Sequence, residues 1–597
     1  MCRIAGIVSL SRHKYDVKAG LSRMLNSLAH GGPDDEGEFL DDQVAFGHRR
    51  LSIIDLSSGG HQPMLTEDSE LIVSFNGEIY NYPILKNELE KLGASFKTKS
   101  DTEVILLAYR QWGTDAFDKF EGIFAFSLYD KKRKKVFLVR DHIGVKPLYY
   151  YLKENELVFA SEVKAFRALR SDWAENEDWK ILFLAFGSLP HPVTTLSGVL
   201  QLPAGTYLEL NLEDFSNRQK QFYSSARRIE CTVHEEEKAF ELMRRSVQQA
   251  LKKNLIADAP LGVFLSGGID SSLLTLLADK TQENVKTISI NFQDASFDEG
   301  PYQRLVLEST KHVKHVSYSL NEQMFWDHLD DIWKAMDQPS IDGVNSYFVS
   351  LCAKNEGLKA VLSGLGADEY FGGYESTNRV HWIRSLRKIP FKRLVGKLIG
   401  YKSRAFKRLM FLNISGTIGD YLFLRGIHTP DAIARLLGVT EDRVWRVLKE
   451  ITLEAPEKMS EKEYASFLES KIYMTNQLLK DTDYMSMWHS LEVRVPFLDI
   501  ELLKELASID PNLRYKAGWS KYLLTGTYQD LLPREIIFRK KSGFTFPFSV
   551  WIKNNPQKFK SMLPGNKEAE NVIKEFEEGN SHWAKCWGLA VVQQFKY

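Results

Sequence analysis

Leu261-Gly262-Val263-Phe264-Leu265-Ser266-Gly267-Gly268-Ile269-Asp270-Ser271-Ser272 decides the fold of the longer part of the chain. The apolar run Leu261–Leu265 has the length of a buried strand, the paired glycines make a turn, and a helix opens after them. Two adjacent glycines let backbone amides approach an anion closely, and the helix amino terminus adds partial positive charge. Ser271 and Ser272 supply hydroxyl donors for phosphate oxygens. An acid inside an anion-binding loop makes sense mainly if Mg²⁺ lies between Asp270 and the phosphates. Alone, Ser-Gly-Gly would be an ordinary turn; the full strand–SGGxDSS–helix order is far more specific. The Walker pattern GxxxxGK[ST] is absent. Phe264 stands where a G-x-S-x-G nucleophile elbow needs its first glycine.

Outward from this loop, an amphipathic helix (Ala239, Leu242, Val247, Leu251) precedes it. Short apolar strands follow at Thr287–Phe292, Lys314–Tyr318 and Lys359–Leu362, separated by helical stretches. Strands alternating with helices predict an α/β, doubly wound parallel sheet. Beyond Tyr374 nearly everything reads helical, a mostly helical carboxy-terminal extension. Upstream of the polar stretch Asp214–Arg218 the pattern differs. Cys2–Leu10 and Leu71–Phe75 read as strands. Asp16 precedes a helix with Val17, Leu21, Met24, Leu25 and Leu28 on one face, stopped at Gly31-Gly32-Pro33. Ser100-Asp101-Thr102-Glu103 has capping-box spacing. Ile123–Tyr129 with Lys135–Arg140, and Leu148–Leu152 with Leu157–Ala160, read as hairpins. This part is α+β. The change of pattern places one unit at 2–210 and a second at 232–597.

At 597 residues the chain is too long for one ordinary domain. Its 44% hydrophobic and 26% charged content is that of a globular protein, which excludes fibrous and disordered classes. Lys+Arg and Asp+Glu are both 78, so formal charge gives no case for nucleic acid or an anionic membrane. No apolar run reaches the roughly 18–20 residues of a membrane span, and the amino terminus lacks the basic-then-apolar order of a secretory signal. Cys2, Cys231, Cys352 and Cys586 are scattered without a CxxC pair, which fits a reducing, cytoplasmic setting. Removal of Met1, which aminopeptidases perform before small residues, would give Cys2 a thiol and an α-amine in one residue. That amine, with an unperturbed pKa of about 7.7–8.0, can serve as general base for the thiol.

The loop SGGIDSS resembles the pyrophosphate-binding loop of ATP pyrophosphatases of the asparagine synthetase type, which join AMP to a substrate carboxylate. Ser363-Gly364-Leu365-Gly366-Ala367-Asp368-Glu369-Tyr370-Phe371-Gly372-Gly373-Tyr374 resembles that family's S-G-x-G-x-D-E-x-F-G-G-Y. The resemblance implies that Leu265, Ser266, Gly267, Gly268, Asp270, Ser271, Ser272, Ser363 and Gly364 bind ATP, that the Ile290 backbone contacts adenine, and that Asp270 and Asp368 hold Mg²⁺. Ser490–Asp499 is similar to a further family signature, in which Glu492 and Arg494 read as a buried structural pair. Arg539-Lys540-Lys541-Ser542-Gly543-Phe544 resembles the family's lysine motif, with Lys541 stabilising negative charge on the adenylate or the leaving pyrophosphate.

Cys2-Arg3-Ile4-Ala5-Gly6-Ile7 resembles the start of class II glutamine amidotransferase domains, which are Ntn-type αββα sandwiches. By that resemblance Cys2 is the nucleophile and Asn76 and Gly77 form the oxyanion hole. Arg50, Ile53, Asn76, Glu78 and Asp101 bind glutamine, Arg50 on its carboxylate and Asp101 on its ammonium. Together these imply ATP-dependent, glutamine-hydrolysing amidation of a carboxylate, aspartate first. ATP is co-substrate, Mg²⁺ the metal, the partners small molecules without nucleic acid or membrane insertion, and a homodimer is compatible. The same chemistry on another carboxylate, such as a sugar uronic acid, is the alternative. An intramolecular ligase of the β-lactam synthetase kind conflicts with Cys2 and Asn76, and an inactive sensing paralogue with the intact motif residues. Four departures bear on the acceptor and on the ammonia tunnel that the family implies. Leu365 replaces a common Glu, Gly31 replaces the Arg of H-R-G-P-D, Tyr484 replaces a frequent basic residue, and Asp337–Asn345 is unlike the usual acceptor segment.

Overall fold

The computed structural model describes residues 2–10, 16–153, 155–224, 229–282, 284–294, 296–389, 407–516, 518–539, 546–563 and 565–595. Its amino-terminal part is built on two six-stranded sheets. The first runs Leu200–Gln201, Tyr149–Lys153, Glu156–Ala160, Arg3–Ser9, Val44–Arg50, Asp35–Leu40. The second runs Asn217–Gln221, Thr206–Asn211, Lys135–Arg140, Gly122–Asp130, Leu71–Ile79, Met64–Leu65. All pairings within them are antiparallel.

Side chains alternate across each strand with period two, and both faces are buried. Ile4 and Val8 from the first sheet meet Ile72, Val136 and Leu138 from the second in one core between the sheets. Ala5 and Ile7 point the other way, onto the helices Val17–Ser27 and Lys164–Leu169. Val73, Phe75, Phe137 and Val139 point onto the helices Tyr82–Lys91 and Asp101–Trp112. The result is helix–sheet–sheet–helix, the expected αββα sandwich. Two local readings differ. The second sheet continues past 210 to the edge strand Asn217–Gln221, whose exposed polar residues carry no apolar alternation. Ser100 caps its helix through the Thr102 amide, but Glu103 does not complete a capping box; its carboxylate takes the Lys97 and Thr98 amides instead.

The second unit centres on a five-stranded parallel sheet in the order Lys314–Leu320, Lys286–Phe292, Leu261–Phe264, Ala360–Leu362, Glu492–Arg494. The first strand in sequence lies between the second and the fourth. The strand order reverses there, and the crevice beyond its carboxyl end is where open α/β sheets bind ligands. The mostly helical reading beyond Tyr374 holds, with one exception in the strand Glu492–Arg494: three residues carrying two charges do not look like a strand in sequence. One feature crosses the expected boundary. The helix Trp179–Phe186, from the amino-terminal part, is buried in the carboxy-terminal core with Phe411, Tyr421 and Trp587. Its ring Phe186 stacks on Tyr421 at 5.8 Å. No described helix is long and apolar enough to cross a membrane.

Candidate functional site

The strand Arg3–Ser9 starts in the middle of the first sheet, so the residue before it is delivered to the sandwich's interior. Cys2 is buried there. Its backbone N–H donates to Asn76 Oδ1 at 3.2 Å, and its sulfur lies 3.9 Å from the Leu51 carbonyl. Burial pushes the Cys2 thiol pKa up, and nearby Arg50 opposes it. Asn76 is itself fully buried, and its Nδ2 has no hydrogen-bond partner among the described residues. An unpaired buried donor costs about 1–3 kcal/mol, so Nδ2 is available to an acceptor from outside. Gly77 follows with φ +145, and a Cβ there would lie 2.0 Å from the Ile123 carbonyl oxygen. Only glycine lets this strand run so close to Gly122–Asp130.

The other predicted glutamine-site residues surround this pair. Arg50 is buried, and its guanidinium engages the loop after it: Nη1 donates to the Ser57 carbonyl at 2.9 Å and Nη2 to that of Asp55. Ile53 is buried against Ala259 and Ala360 of the second unit, and its carbonyl accepts from the Asp258 amide at 2.9 Å. Asp101 accepts the Ile79 amide at 2.9 Å, and burial raises its carboxyl to about 6. Glu78 is buried as well. Burial, then Glu492 and Asp101, hold its carboxyl well above the usual range.

The second site lies at the carboxyl ends of the parallel sheet, in a cavity of about 300 Å³. In the SGGIDSS loop the Ser271 hydroxyl accepts the Ser266 amide at 3.2 Å and donates to the Gly268 carbonyl at 3.2 Å. Gly267 has φ +78, where a Cβ would meet Tyr302 at 2.9 Å. The helix Ile269–Thr281 has no side-chain cap, and its first residues line the cavity, so its uncapped first amides could serve an anion there. Leu265 and Ser272 are buried at the base of the loop. The 363–364 loop packs directly on this one: a Cβ on Gly364 would lie 2.6 Å from Asp270 Cβ. Ser363, Gly364 and Ile290 line the same cavity, and the Ile290 carbonyl already accepts from Gln303 at 3.5 Å.

Asp270 and Asp368 come together around one cation, Lys521. Its Nζ bonds Asp270 and is 2.8 Å from Asp368 Oδ1. Although burial disfavours its charge, the two carboxylates hold the lysine's pKa above the ordinary value. Sequence reading missed this residue; its signal is a single lysine inside the apolar run Trp519–Leu524, too weak alone. Lys541, the predicted charge stabiliser, lies outside the described residues. Arg539 from the same motif reaches the site, donating to the Gly267 carbonyl at 2.9 Å. Two carboxylates that already converge on one cation suit a hard divalent ion, so the donor set fits Mg²⁺. Glu369, also unsought, lines the cavity with its carboxyl raised to about 7 by burial and by Asp368.

The departures from family pattern each have a physical place. Gly31 leaves room for Arg3: a Cβ there would lie 2.7 Å from Arg3 Cγ. Arg3, fully buried, bonds Glu162 at 2.6 Å and Asp483 of the second unit at 2.8 Å. The Tyr484 hydroxyl bonds that of Tyr149 in the sandwich. Asp337 accepts the Val163 and Lys164 amides at 2.7 and 2.9 Å, capping a helix of the first unit. Asp342 and Asp481 line the nucleotide-side cavity together with Leu365.

Arg494 connects the two sites. It is buried, bonds Glu492, donates to the Asn254 carbonyl at 2.8 Å, and lies 3.6 Å from Glu78. Its own carbonyl accepts the Ser363 amide at 2.9 Å. Although burial favours the neutral acid, Arg494 holds Glu492 down at about 2.

Comparison with known proteins agrees with this two-site architecture. Residues 1–223 match the family described as glutamine amidotransferase domain, and residues 242–570 match that described as asparagine synthase. The chain is 29% identical over 586 residues to asparagine synthetase (glutamine-hydrolyzing) 1 of Bacillus subtilis (strain 168), covering 96% of this chain and 90% of that protein. It is 30% identical over 627 residues to asparagine synthetase (glutamine-hydrolyzing) 3 of the same organism, covering 98% and 95%. Against putative asparagine synthetase (glutamine-hydrolyzing) 2 of Methanocaldococcus jannaschii it is 35% identical over 428 residues, covering 67% and 81%. An ATP-using ligase half and a glutamine-hydrolysing half are joined in one polypeptide: the chain belongs to the asparagine synthase family, as a glutamine-dependent carbon–nitrogen ligase of the asparagine synthetase type.

Proposed function

We propose that the chain transfers the amide nitrogen of glutamine to a carboxylate, aspartate first, through an acyl-adenylate, releasing AMP, pyrophosphate and glutamate. We assign the glutaminase step to 2–210 together with the edge strand that completes its sheet, and the synthetase step to 232–597. The observation that carries the reading is the Cys2–Asn76 contact: a buried cysteine whose backbone N–H meets the oxygen of a buried amide, and that amide's Nδ2 has no partner among the described residues. Cys2 sulfur attacks the glutamine side-chain carbonyl while its thiol proton passes, by way of the Cys2 α-amine, to the departing nitrogen. The oxygen takes negative charge and is met by Asn76 Nδ2 and the Gly77 amide. The C–N bond breaks, ammonia leaves, and water hydrolyses the thioester to glutamate. Arg50 and Asp101 would hold the substrate's carboxylate and ammonium, with Ile53 and Glu78 shaping the pocket.

At the second site the SGGIDSS loop amides and Ser271 would cradle the pyrophosphate of ATP, with adenine against Ile290. The acceptor carboxylate displaces pyrophosphate at the α-phosphorus, and ammonia then displaces AMP. Asp270 and Asp368 would hold Mg²⁺, which supplies charge neutralisation on the phosphates when bound. Lys521, within reach of the same point, is the residue to follow negative charge onto the leaving group, alongside Lys541. A second reading keeps every step and changes the acceptor to a carboxylate such as a uronic acid. Leu365 favours it, having no titratable group where the family has Glu.

The test is Cys2→Ala. Glutamine-dependent amidation and glutamate release should fall by at least about 10³-fold, while ammonium-dependent pyrophosphate release survives. Loss of both would refute two separable sites. Mass spectrometry of products from aspartate and from uronic acids decides the acceptor, and intact mass of the purified chain shows whether Cys2 is its first residue.

A further inference from the structure

A third cluster of reactive side chains lies at the junction between the units, away from both sites. Cys231 and His234 stand on the segment leading into the helix Glu236–Asn254, and Asp510 caps the helix Pro511–Arg514. Backbone bonds hold the two segments side by side. The Ser508 carbonyl accepts the Thr232 and Val233 amides at 2.8 and 3.1 Å, and the Asp510 amide donates to the Val233 carbonyl at 2.9 Å. This is a parallel bridge between Val233 and Ile509.

Three donor atoms converge beside that ladder. His234 Nδ1 is 3.3 Å from Asp510 Oδ2 and 3.9 Å from Cys231 Sγ, and all three atoms lie within 4.8 Å of one another. Asp510 is not free to turn away: its other oxygen accepts the Asn512 amide at 2.9 Å. A zinc-class ion bonds thiolate sulfur at about 2.3 Å and imidazole nitrogen or carboxylate oxygen at about 2.0–2.1 Å, which sets tetrahedral edges of about 3.3–3.6 Å. The His234–Asp510 separation of 3.3 Å matches such an edge, and the Cys231–His234 separation of 3.9 Å lies just above one, before any ion draws the ligands in. Sulfur and imidazole ligands also select against Mg²⁺ and Ca²⁺ in favour of borderline transition metals.

We propose that Cys231, His234 and Asp510 bind one divalent transition-metal ion of the zinc class, with its fourth position open to water, and that this ion pins the inter-unit segment to the synthetase unit. The sulfur binds as thiolate and releases its proton, so binding strengthens with rising pH. Because the unfolded chain does not hold the three groups together, occupancy stabilises the folded junction by mass action.

The experiment titrates the full chain carrying Cys2→Ala, so that the other candidate nucleophilic thiol is silent, with Co²⁺ as the spectroscopic probe. Expected are a thiolate-to-cobalt charge-transfer band that saturates at one equivalent, tetrahedral d–d bands, and displacement by Zn²⁺. Cys231→Ser should abolish the charge-transfer band. His234→Ala and Asp510→Asn should each weaken Co²⁺ binding at least ten-fold, the latter keeping a good helix cap. A charge-transfer band that never saturates, or one undiminished in Cys231→Ser, overturns the assignment. Neither result depends on glutaminase or ligase turnover, so the proposal stands or falls apart from the functional reading above.

Discussion

The two reaction sites handle charge in opposite ways. Around Cys2 the walls are sheet strands, and the acids Glu78 and Asp101 are buried with raised pKa values, with Arg494 3.6 Å from Glu78. Around the SGGIDSS loop the walls are loops and helix starts, and Asp270 and Asp368 share a lysine. The first site is set by the ladders that build the sandwich, so its geometry exists before substrate arrives. The second is assembled around a cation, and its geometry depends on which cation stands between the carboxylates.

The sharpest way to break this contrast is Lys521→Ala. Pyrophosphate release should fall about 10²–10³-fold, the usual loss for one preorganised electrostatic group. Glutaminase turnover, measured as glutamate in the same preparation, should stay within a few-fold of the parent. A matching loss at both sites would mean that they do not differ as described. Next in size is Arg494→Met, which leaves Glu492 and Glu78 buried without their cation. Breaking a buried pair from one side costs about 3–5 kcal/mol. The thermal midpoint should fall, and both activities should decline together, since Arg494 faces Glu78 through its side chain and Ser363 through its carbonyl. Loss of one activity alone would show that the arginine serves a single site.

The smallest effect is pH dependence at Asp101. Its folded value of about 6 lies above the ordinary 3.8, burial being the chief cause. The folded chain therefore binds this proton more tightly than the unfolded one. The stabilising contribution of the protonated form is complete below 3.8 and is lost as pH rises toward 6. Function runs the other way, because only the ionised carboxylate attracts an ammonium. The KM for glutamine should rise a few-fold as pH falls below about 6, and Asp101→Asn should remove that dependence. A KM that is flat in the parent chain would take Asp101 out of substrate binding.

Much of the fold was legible because its signals are local. The switch from period-two strands to strand–helix alternation, and the paired glycines after Phe264, depend on neighbours a few residues apart. The strand Glu492–Arg494 was not legible: its stability comes from pairing with Ala360–Leu362 and from burying a salt bridge, not from apolar alternation. The same holds for the sites. Cys2, Asn76, Asp270 and Asp368, the proposed site residues, are legible because each lies in a short local motif. Lys521 becomes visible only when a chain distant in sequence returns to the sheet's carboxyl edge, and Arg3 with Asp483 only when the two units are packed.

The helix Trp179–Phe186 has a consequence for how such a protein could be divided. Nearly every one of its side chains is hidden among residues that come more than 200 positions later, so a fragment cut between the halves would carry a greasy rod with no cover. Separate expression of the two catalysts should therefore yield an insoluble first piece.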